Sequence, residues 1–566
     1  MNNEICKDIW LSLNQSYLKP INKELISSSS ELIFSEVKQY FENHTKCKVI
    51  NLRRLKEDDW NYFSEKKISL SYLIKNFERT INAEKDKITP DPRKFQLEAV
   101  KDKFIYAVCP FSGRLLRSNQ SVFVTRSVIF YRFTSQEKLF YLITTNFGDG
   151  FTKGALYFPE SELIIKADSE KWGFKRENII QFKAIIVCNY QDFCNYFSNQ
   201  NSNKRIAVII GSTENFAHHL WNQLSGINRL YENKLLNKVD RFLVFREPLG
   251  EINQIFPEIP TDKIEKIKTD NEAIQEILKN NYLVVNVGDR FIKNDLANRV
   301  YKVAFNNCPS KVIDQVKEAK ENFFPLLWIS IRSHNRTWIN QVDGLTKVID
   351  SLAKKFPKMG VVFDGFSLPA DSNLYPNRYQ GFFEIIKRQN EIVNEITQNL
   401  SNLKIGIFNT VGCSIFETNV WAHAIDIYLA HHGTIQHKVG WLANKQGIVH
   451  SNQKVLKNPY NYVGKAREFG IPPIYISHIH VKDTKIEGKE ANDLRGDLDN
   501  YDLDWTVLYD EVLKLTKSIT RKESFTTKLF NSGVRVIKPS IVLRELKKKV
   551  KQTLQGLITS LDFSKI

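Results

Sequence analysis

The sequence predicts an α/β protein of two facing Rossmann-like domains preceded by a β-rich module. Three observations lead there. From about residue 205 to 430, short apolar runs alternate with helical stretches, the pattern of a parallel sheet with crossover helices. That alternation restarts near residue 325, which divides it in two. Ten of the eleven histidines lie between His218 and His480, and the tightest groups fall at predicted strand ends, where open parallel sheets bind ligands.

With 566 residues and 42% hydrophobic content, the chain has material for several cores, and length alone predicts three or four domains. A charged fraction of 25% is that of a globular protein and excludes a disordered one. The net charge of +18 favours anionic partners. Nucleic acid is set aside, because the positive charge concentrates in the C-terminal tail and no nucleic-acid-binding motif accompanies it. The seven cysteines are odd in number and include no CxxC pair, which fits reduced thiols better than a disulfide framework. The opening MNNEICKDIWLSLNQ lacks the basic start and apolar core of a signal peptide. No apolar run approaches the roughly 20 residues of a spanning helix. The expectation is a cytoplasmic protein, attached at most peripherally to the inner face of a membrane.

Residues 1–100 read as mixed and helical, with an amphipathic stretch in ELIFSEVKQYFENH and a linker in KDKITPDPRK. Residues 101–198 turn to strands, from FIYAVCP through SVFVTRSVIFYRF, KLFYLITTNF, ALYFP and ELIIKA to FKAIIVC. Turn residues such as Gly148-Asp149-Gly150 interrupt them, hence an antiparallel β-rich module. The first β/α domain spans 199–320: strand RIAVIIG, helix NFAHHLWNQLSGINRLYENKLL, then strands RFLVF and NYLVVNVGDR. The second spans 321–510, from LLWISIR through MGVVFDGFS and KIGIFNT to DIYLAHHG. In the basic tail, 511–566, Leu543, Leu546, Val550, Leu554, Leu557 and Leu561 recur at three- and four-residue steps. That is an amphipathic helix with a lysine-rich face. It either meets an anionic bilayer or solvates a helix packed on the catalytic domain.

Three motifs carry chemistry. Arg332-Ser-His-Asn-Arg336-Thr-Trp-Ile-Asn340 follows a strand and opens a helix, so its forked donors are placed to hold a diphosphate; equally, one arginine could pair with a carboxylate and the other be solvated. In Ala430-His431-His432-Gly433-Thr434-Ile-Gln-His437-Lys438, Gly433 permits close approach of backbone to a ligand and Thr434 can cap a helix; the alternative is a capped helix with two loop histidines. In Glu214-Asn215-Phe216-Ala217-His218-His219, Glu214 and His218 lie about one turn apart, so the carboxylate could orient the imidazole as a base. One of His218 and His219 is expected to face the cleft. Asp364, at a strand end, is another candidate base or else a cap. His478 and His480 would share one face of a strand, but no third ligand accompanies them, so no metal site is expected.

These blocks, in this order, resemble the glycosyltransferases of family 61. That family carries an Asn-Phe-Gly/Ala-His block, a Ser-Arg-x-x-x-Arg-x-x-x-Asn block and a His-Gly block before an apolar strand. Here they read NFAHHLWNQLSGINRL, ISIRSHNRTWINQ and AHHGTIQHKVGWLANKQGIVHSN, within residues 205–455. Thr434-Ile-Gln-His437 replaces the family's small residues after His-Gly, and His450-Ser-Asn452 replaces its usual acidic residue. The resemblance implies a GT-B-type architecture, with an acceptor domain at 199–320 and a nucleotide-sugar domain at 321–510. It also implies an inverting transfer with no obligatory metal or cofactor.

The sequence thus points to a glycosyltransferase of cell-surface polysaccharide synthesis. His218 or His219, supported by Glu214, would deprotonate a saccharide or lipid-linked acceptor. Arg332, Arg336, Asn340, His432, Gly433, Thr434 and Lys438 would bind the nucleotide-sugar donor. The other reading is a non-catalytic carbohydrate- or nucleotide-binding protein on the same scaffold.

Overall fold

Apolar runs of four to eight residues, closed by polar or glycine turns, fold into strands throughout this chain. The computed structural model describes residues 31–78, 80–82, 87–89, 94–135, 138–145, 154–166, 174–198, 204–375, 379–459, 462–484 and 498–531. In chain order the first strands are β1 (Lys48–Asn51), β2 (Thr80–Asn82), β3 (Lys87–Thr89), β4 (Ile105–Val108), β5 (Leu115–Ser118), β6 (Ser121–Thr125), β7 (Val128–Ser135), β8 (Lys138–Thr144), β9 (Ala155–Phe158) and β10 (Leu163–Lys166). Strands β6 to β10 form an antiparallel meander, and β1 joins its far edge parallel to β10. Two antiparallel ribbons, β2 with β3 and β4 with β5, stand apart from it. Most of the linker KDKITPDPRK lies outside the described residues, apart from Lys87–Thr89 in β3.

One predicted strand is wrong. FKAIIVC belongs to the helix Arg176–Cys188, in which Ile179, Ile180 and every residue from Phe182 to Val187 are buried. A helix buried on all sides has no polar face, and a short run of it reads like an interior strand.

The second sheet holds β11 (Arg205–Ile210), β12 (Arg241–Val244), β13 (Ile264–Lys266) and β14 (Tyr282–Asn286), all parallel, in the order β13-β12-β11-β14. The third holds β15 (Leu326–Ser330), β16 (Gly360–Asp364), β17 (Gly406–Asn409), β18 (Ile427–His431), β19 (Gln446–His450) and β20 (Ile474–Tyr475), also all parallel, in the order β17-β16-β15-β18-β19-β20. Both orders grow outward from a first strand and reverse at the fourth, the doubly wound pattern. A last ribbon pairs β21 (Val481–Thr484) with β22 (Asn500–Leu503).

Alternation along β15 shows why the third sheet reads as continuous apolar runs. Leu327 and Ile329 face one core with Val361 and Phe363, while Leu326 and Trp328 face the other with Val362 and Tyr428. Both faces are buried, as parallel sheets require. The helix Trp505–Asn531 seals the first of these cores with Leu508, Val512 and Leu515. It begins within the segment assigned to the second β/α domain and runs into the predicted tail. The leucine repeat at 543–561 lies outside the described residues. Among those residues no helix is long and apolar enough to cross a membrane.

The two parallel sheets are strapped together beyond their strand ends. After β12, the buried Arg246 donates from Nε to Asp371 Oδ2 at 2.8 Å, and the Glu247 N–H donates to the same oxygen at 3.0 Å. Arg246 also meets the Tyr379 hydroxyl, and the Ala370 N–H donates to Pro248 O at 3.0 Å. The loop after β16 is therefore pinned to the end of the second sheet.

Helix Ser225–Glu232 approaches the turn after β14 so closely that Gly226 has no room for a side chain. A Cβ there would stand 2.5 Å from the Gly288 nitrogen and 2.6 Å from its Cα, and backbone cannot swing aside. Gly226→Ala should cost about 1–3 kcal/mol, read as a lower urea midpoint at unchanged slope.

Candidate active site

Where strand order reverses in an open parallel sheet, crossovers leave on opposite faces and a crevice opens beyond the strand ends. In the third sheet that point lies between β15 and β18. The arginine-rich turn follows β15 and the histidine–glycine turn follows β18, so both motifs meet there. Ser330 Oγ lies 3.1 Å from His431 Nδ1 and accepts from the His431 N–H at 2.8 Å, which joins the two strand ends.

Gly433 adopts φ 136° and ψ −160°, a conformation nearly confined to glycine. A Cβ at this position would lie 3.4 Å from Arg332 Nη1 and 3.9 Å from both Nη1 and Nη2 of Arg336. The two guanidiniums therefore converge on the glycine peptide. Arg332 is only 6% exposed. Its Nε donates to the Asn335 carbonyl and its Nη2 to Asn335 Oδ1 at 2.6 Å. Among the described residues no carboxylate pairs with it. Burial, and then the neighbouring Arg336, push its pKa down to about 9. A buried cation beside a second cation is costly unless an anion joins it.

The crevice has two lobes that share Arg336 and Thr434. The larger, about 530 Å³, is lined by His218, Trp221, His432, His437, Trp441 and Lys454 among others. The smaller, about 240 Å³, is lined by Glu214, Phe216, Arg332, His334, Phe366 and Phe382 among others. Loops after β11 thus share walls with loops of the third sheet. Asn215 caps the next helix by accepting from the Ala217 N–H at 3.0 Å, and its Nδ2 donates to Thr434 Oγ1 at 3.4 Å. Trp221 and Trp441, each in a π-helical turn (His219–Leu224 and Lys438–Leu442), lie 5.4 Å apart across this junction. Such wide turns rotate side chains out of the α-helical register.

His218 Nδ1 sits 3.0 Å from Asn222 Oδ1, and Asn222 Nδ2 donates to Asp289 O at 3.1 Å. The second bond fixes which end of the amide faces the ring. It assigns the imidazole proton to Nδ1 and leaves the Nε2 lone pair able to accept one. His334 and His432 are both held down to about 4, by burial first and by the two arginines next. They are neutral donors or acceptors near pH 7, not cations.

The structure places several of the sequence candidates away from the roles expected of them. Glu214 does not orient His218; its carboxylate lies 3.6 Å from Arg246 Nη1, and the orienting group is Asn222. His219 does not face the crevice. It is buried in the core, bonded to Gln223 Oε1 at 3.1 Å, and burial holds it down to about 4. Asn340 stands away from both lobes at the surface, donating to Asp502 Oδ2 at 2.8 Å. Lys438 does not reach toward an anion: its buried ammonium donates to both Asp364 oxygens at 2.8 and 2.9 Å, to Gly365 O at 2.9 Å and to Ser367 Oγ at 2.5 Å. Asp364 is fully buried in that pair, which removes it as a base.

The remaining histidines divide between the site and the scaffold. His437 lines the larger lobe, stacked on Trp441 at 3.6 Å. His431 and His450 pack behind the turn with rings 4.3 Å apart, and His450 Nδ1 meets the Tyr501 hydroxyl at 2.8 Å. His423 stacks on Tyr301, away from the crevice. His478 and His480 occupy a 3-10 turn instead of a strand. Among the described residues no group of three or more His, Cys, Asp or Glu side chains is placed to hold a metal ion. Sequence reasoning missed Trp221, although it lies three residues after His218 on the same helical face. Phe366 and Phe382 carried no sequence signal.

No family model matches the chain, and no curated protein matches it significantly in sequence. Solved structures match about half of it. A glycosyl transferase of family 9 from Veillonella parvula aligns with 49% of this chain and 87% of its own, at 10% identity and TM-score 0.27. A glycosyltransferase from Rickettsia africae aligns with 50% of this chain and 59% of its own, at 13% identity and TM-score 0.19. A UDP-GlcNAc 2-epimerase from Neisseria meningitidis, solved with UDP-GlcNAc bound, covers 50% of this chain and 68% of its own at 13% identity and TM-score 0.16. Likeness this slight assigns no chemistry.

Two outcomes follow from the site's electrostatics. Arg332→Met removes a buried charge along with its bonds to Asn335, so ligand-free stability should change by only about 1 kcal/mol. Added pyrophosphate should stabilise the native protein but not that variant; thermal melts with and without pyrophosphate check both. Imidazoles with lowered pKa set the pH dependence. His219, His334 and His432 stay neutral down to about 4 when folded, but bind protons near their ordinary 6.5 when unfolded. The unfolded chain binds more protons in that window, so melting temperature should fall as pH drops from about 6.5 toward 4, and not above 7.

Proposed function

We propose that the protein is a glycosyltransferase that takes a sugar from a nucleotide-sugar donor. The observation that carries this reading is the convergence of Arg332 and Arg336 on Gly433, with no carboxylate paired to Arg332 among the described residues. Two forked cations at a strand switch point suit a diphosphate, whose charge grows as it leaves the sugar. His218 Nε2, in the adjoining lobe, supplies the base. In the transfer, an acceptor hydroxyl gives its proton to His218 while its oxygen bonds to the anomeric carbon. The bond from that carbon to the diphosphate oxygen breaks, and the electron pair stays on the nucleoside diphosphate. Attack from the face opposite the leaving group inverts the anomeric configuration.

On this reading residues 199–320 form the acceptor domain and 321–510 the donor domain of a GT-B-type enzyme, facing across the crevice, with the order of motifs found in family 61. A saccharide or lipid-linked acceptor in cell-surface polysaccharide synthesis fits the larger lobe and the basic C-terminal segment. Lys438 and Asp364 act as internal struts that hold the β16 loop, not as ligands.

Release of nucleoside diphosphate from a panel of nucleotide sugars tests the proposal. Arg332→Ala should lower kcat/KM by about 10²–10³, and His218→Ala by about 10²–10⁴. His219→Asn should weaken folding and leave turnover per folded molecule within about threefold, since it touches the core alone. Donor-dependent stabilisation with no product release would instead identify a carbohydrate- or nucleotide-binding protein.

A further inference from the structure

We infer that the smaller lobe receives the donor's nucleoside, and that Glu214 is the specificity residue that reads its hydrogen-bond donors. This rests on the proposed function, because it assumes a diphosphate at Arg332 and Arg336. A nucleotide sugar carries two groups, one at each end of the diphosphate, and the arginines stand between two lobes. The larger lobe holds His218, so the anomeric carbon and the acceptor belong there. The nucleoside falls on the other side.

The smaller lobe has the walls such a group needs. Phe366 and Phe382 are stacked at 4.5 Å with 14° between their planes, and Phe216, Pro369 and Ile435 complete an apolar slot. A flat ring fits such a slot by offset stacking and apolar contact. The polar groups in its walls are already engaged. Gln389 accepts from the Phe366 N–H at 2.8 Å and donates to Ile331 O at 3.2 Å. Ser367 accepts from Lys438 at 2.5 Å and donates to Thr418 Oγ1 at 3.2 Å. Tyr379 is held by Arg246.

Glu214 differs from these. Its side chain is 46% exposed, and the carboxylate meets Arg246 Nη1 at 3.6 Å while the rest of its acceptor capacity faces the lobe. That guanidinium is itself fixed by Asp371, so the carboxylate stands on a rigid support. An ionised carboxylate only accepts hydrogen bonds. It repels phosphate and selects a neutral, donor-rich edge: ribose hydroxyls or the N–H groups of a base. This explains why a carboxylate sits close to an anion site without neutralising Arg332.

The test is calorimetric titration of the full chain with inorganic pyrophosphate and with uridine, guanosine, cytidine, adenosine and thymidine diphosphates. In the native protein, at least one nucleoside diphosphate should bind about tenfold or more tighter than pyrophosphate. Glu214→Gln and Phe382→Ala should each erase most of that margin while pyrophosphate affinity stays within about twofold. Lys454→Trp, which crowds the larger lobe from an exposed position, should leave the margin intact. A margin lost in Lys454→Trp and kept in Phe382→Ala would overturn the assignment of lobes. A margin indifferent to Glu214→Gln would overturn the role of that residue. Nucleoside diphosphates no tighter than pyrophosphate would also overturn the inference, yet leave the anion site standing. Absence of binding by pyrophosphate and nucleoside diphosphates alike would sink the anion site and this inference together.

Discussion

Two guanidiniums converging on one glycine peptide at the β15–β18 reversal form the constraint around which the rest is arranged. Arg332 is buried, Arg336 stands beside it, and Gly433 brings main chain against both. Burial first, and the two arginines next, hold His334 and His432 well below the ordinary imidazole pKa. Two carboxylates of the crevice region are engaged elsewhere: Asp364 is consumed by Lys438, and Glu214 leans on Arg246. On the proposed function, an anionic ligand would balance the buried charge of Arg332.

Buried ion pairs give the crevice its shape. Asp364 ends β16 and would be an orphan in an apolar layer without Lys438, whose ammonium also collects Gly365 O and Ser367 Oγ. Those bonds hold the loop that presents Phe366. On the opposite wall, Asn215 reaches Thr434 and Trp221 approaches Trp441. Backbone turns after β11, β15, β16 and β18 are thus set relative to one another by these side-chain contacts.

The parallel sheets were legible in the sequence because parallel strands buried on both faces must be apolar throughout. RIAVII and LLWIS show it plainly, and the intervening helices show a 3.6 period. The helix Arg176–Cys188 was misread for the same reason, since full burial erased its period too. At the site, strand-end position exposed Arg332, Arg336 and Gly433, because those places follow from topology. Residue type could not expose commitment. Lys438 and Asn340 looked like ligands in the sequence, but their partners, Asp364 and Asp502, lie 74 and 162 residues away. Glu214 and His218 were close in sequence, and Asn222, one turn further along the same helix, took the place at the imidazole.

The strap between Arg246 and Asp371 limits how this molecule can breathe. Separating the second and third sheets would break the buried Arg246–Asp371 pair and the Glu247 N–H bond to the same carboxylate, which opposes a jaw-like swing between them. On the proposed function, substrates would thread in along the crevice, past side chains that rotate. Turnover would then be paced by rotamer changes at the rim and by the escape of a spent, doubly charged leaving group, with the scaffold standing still around them.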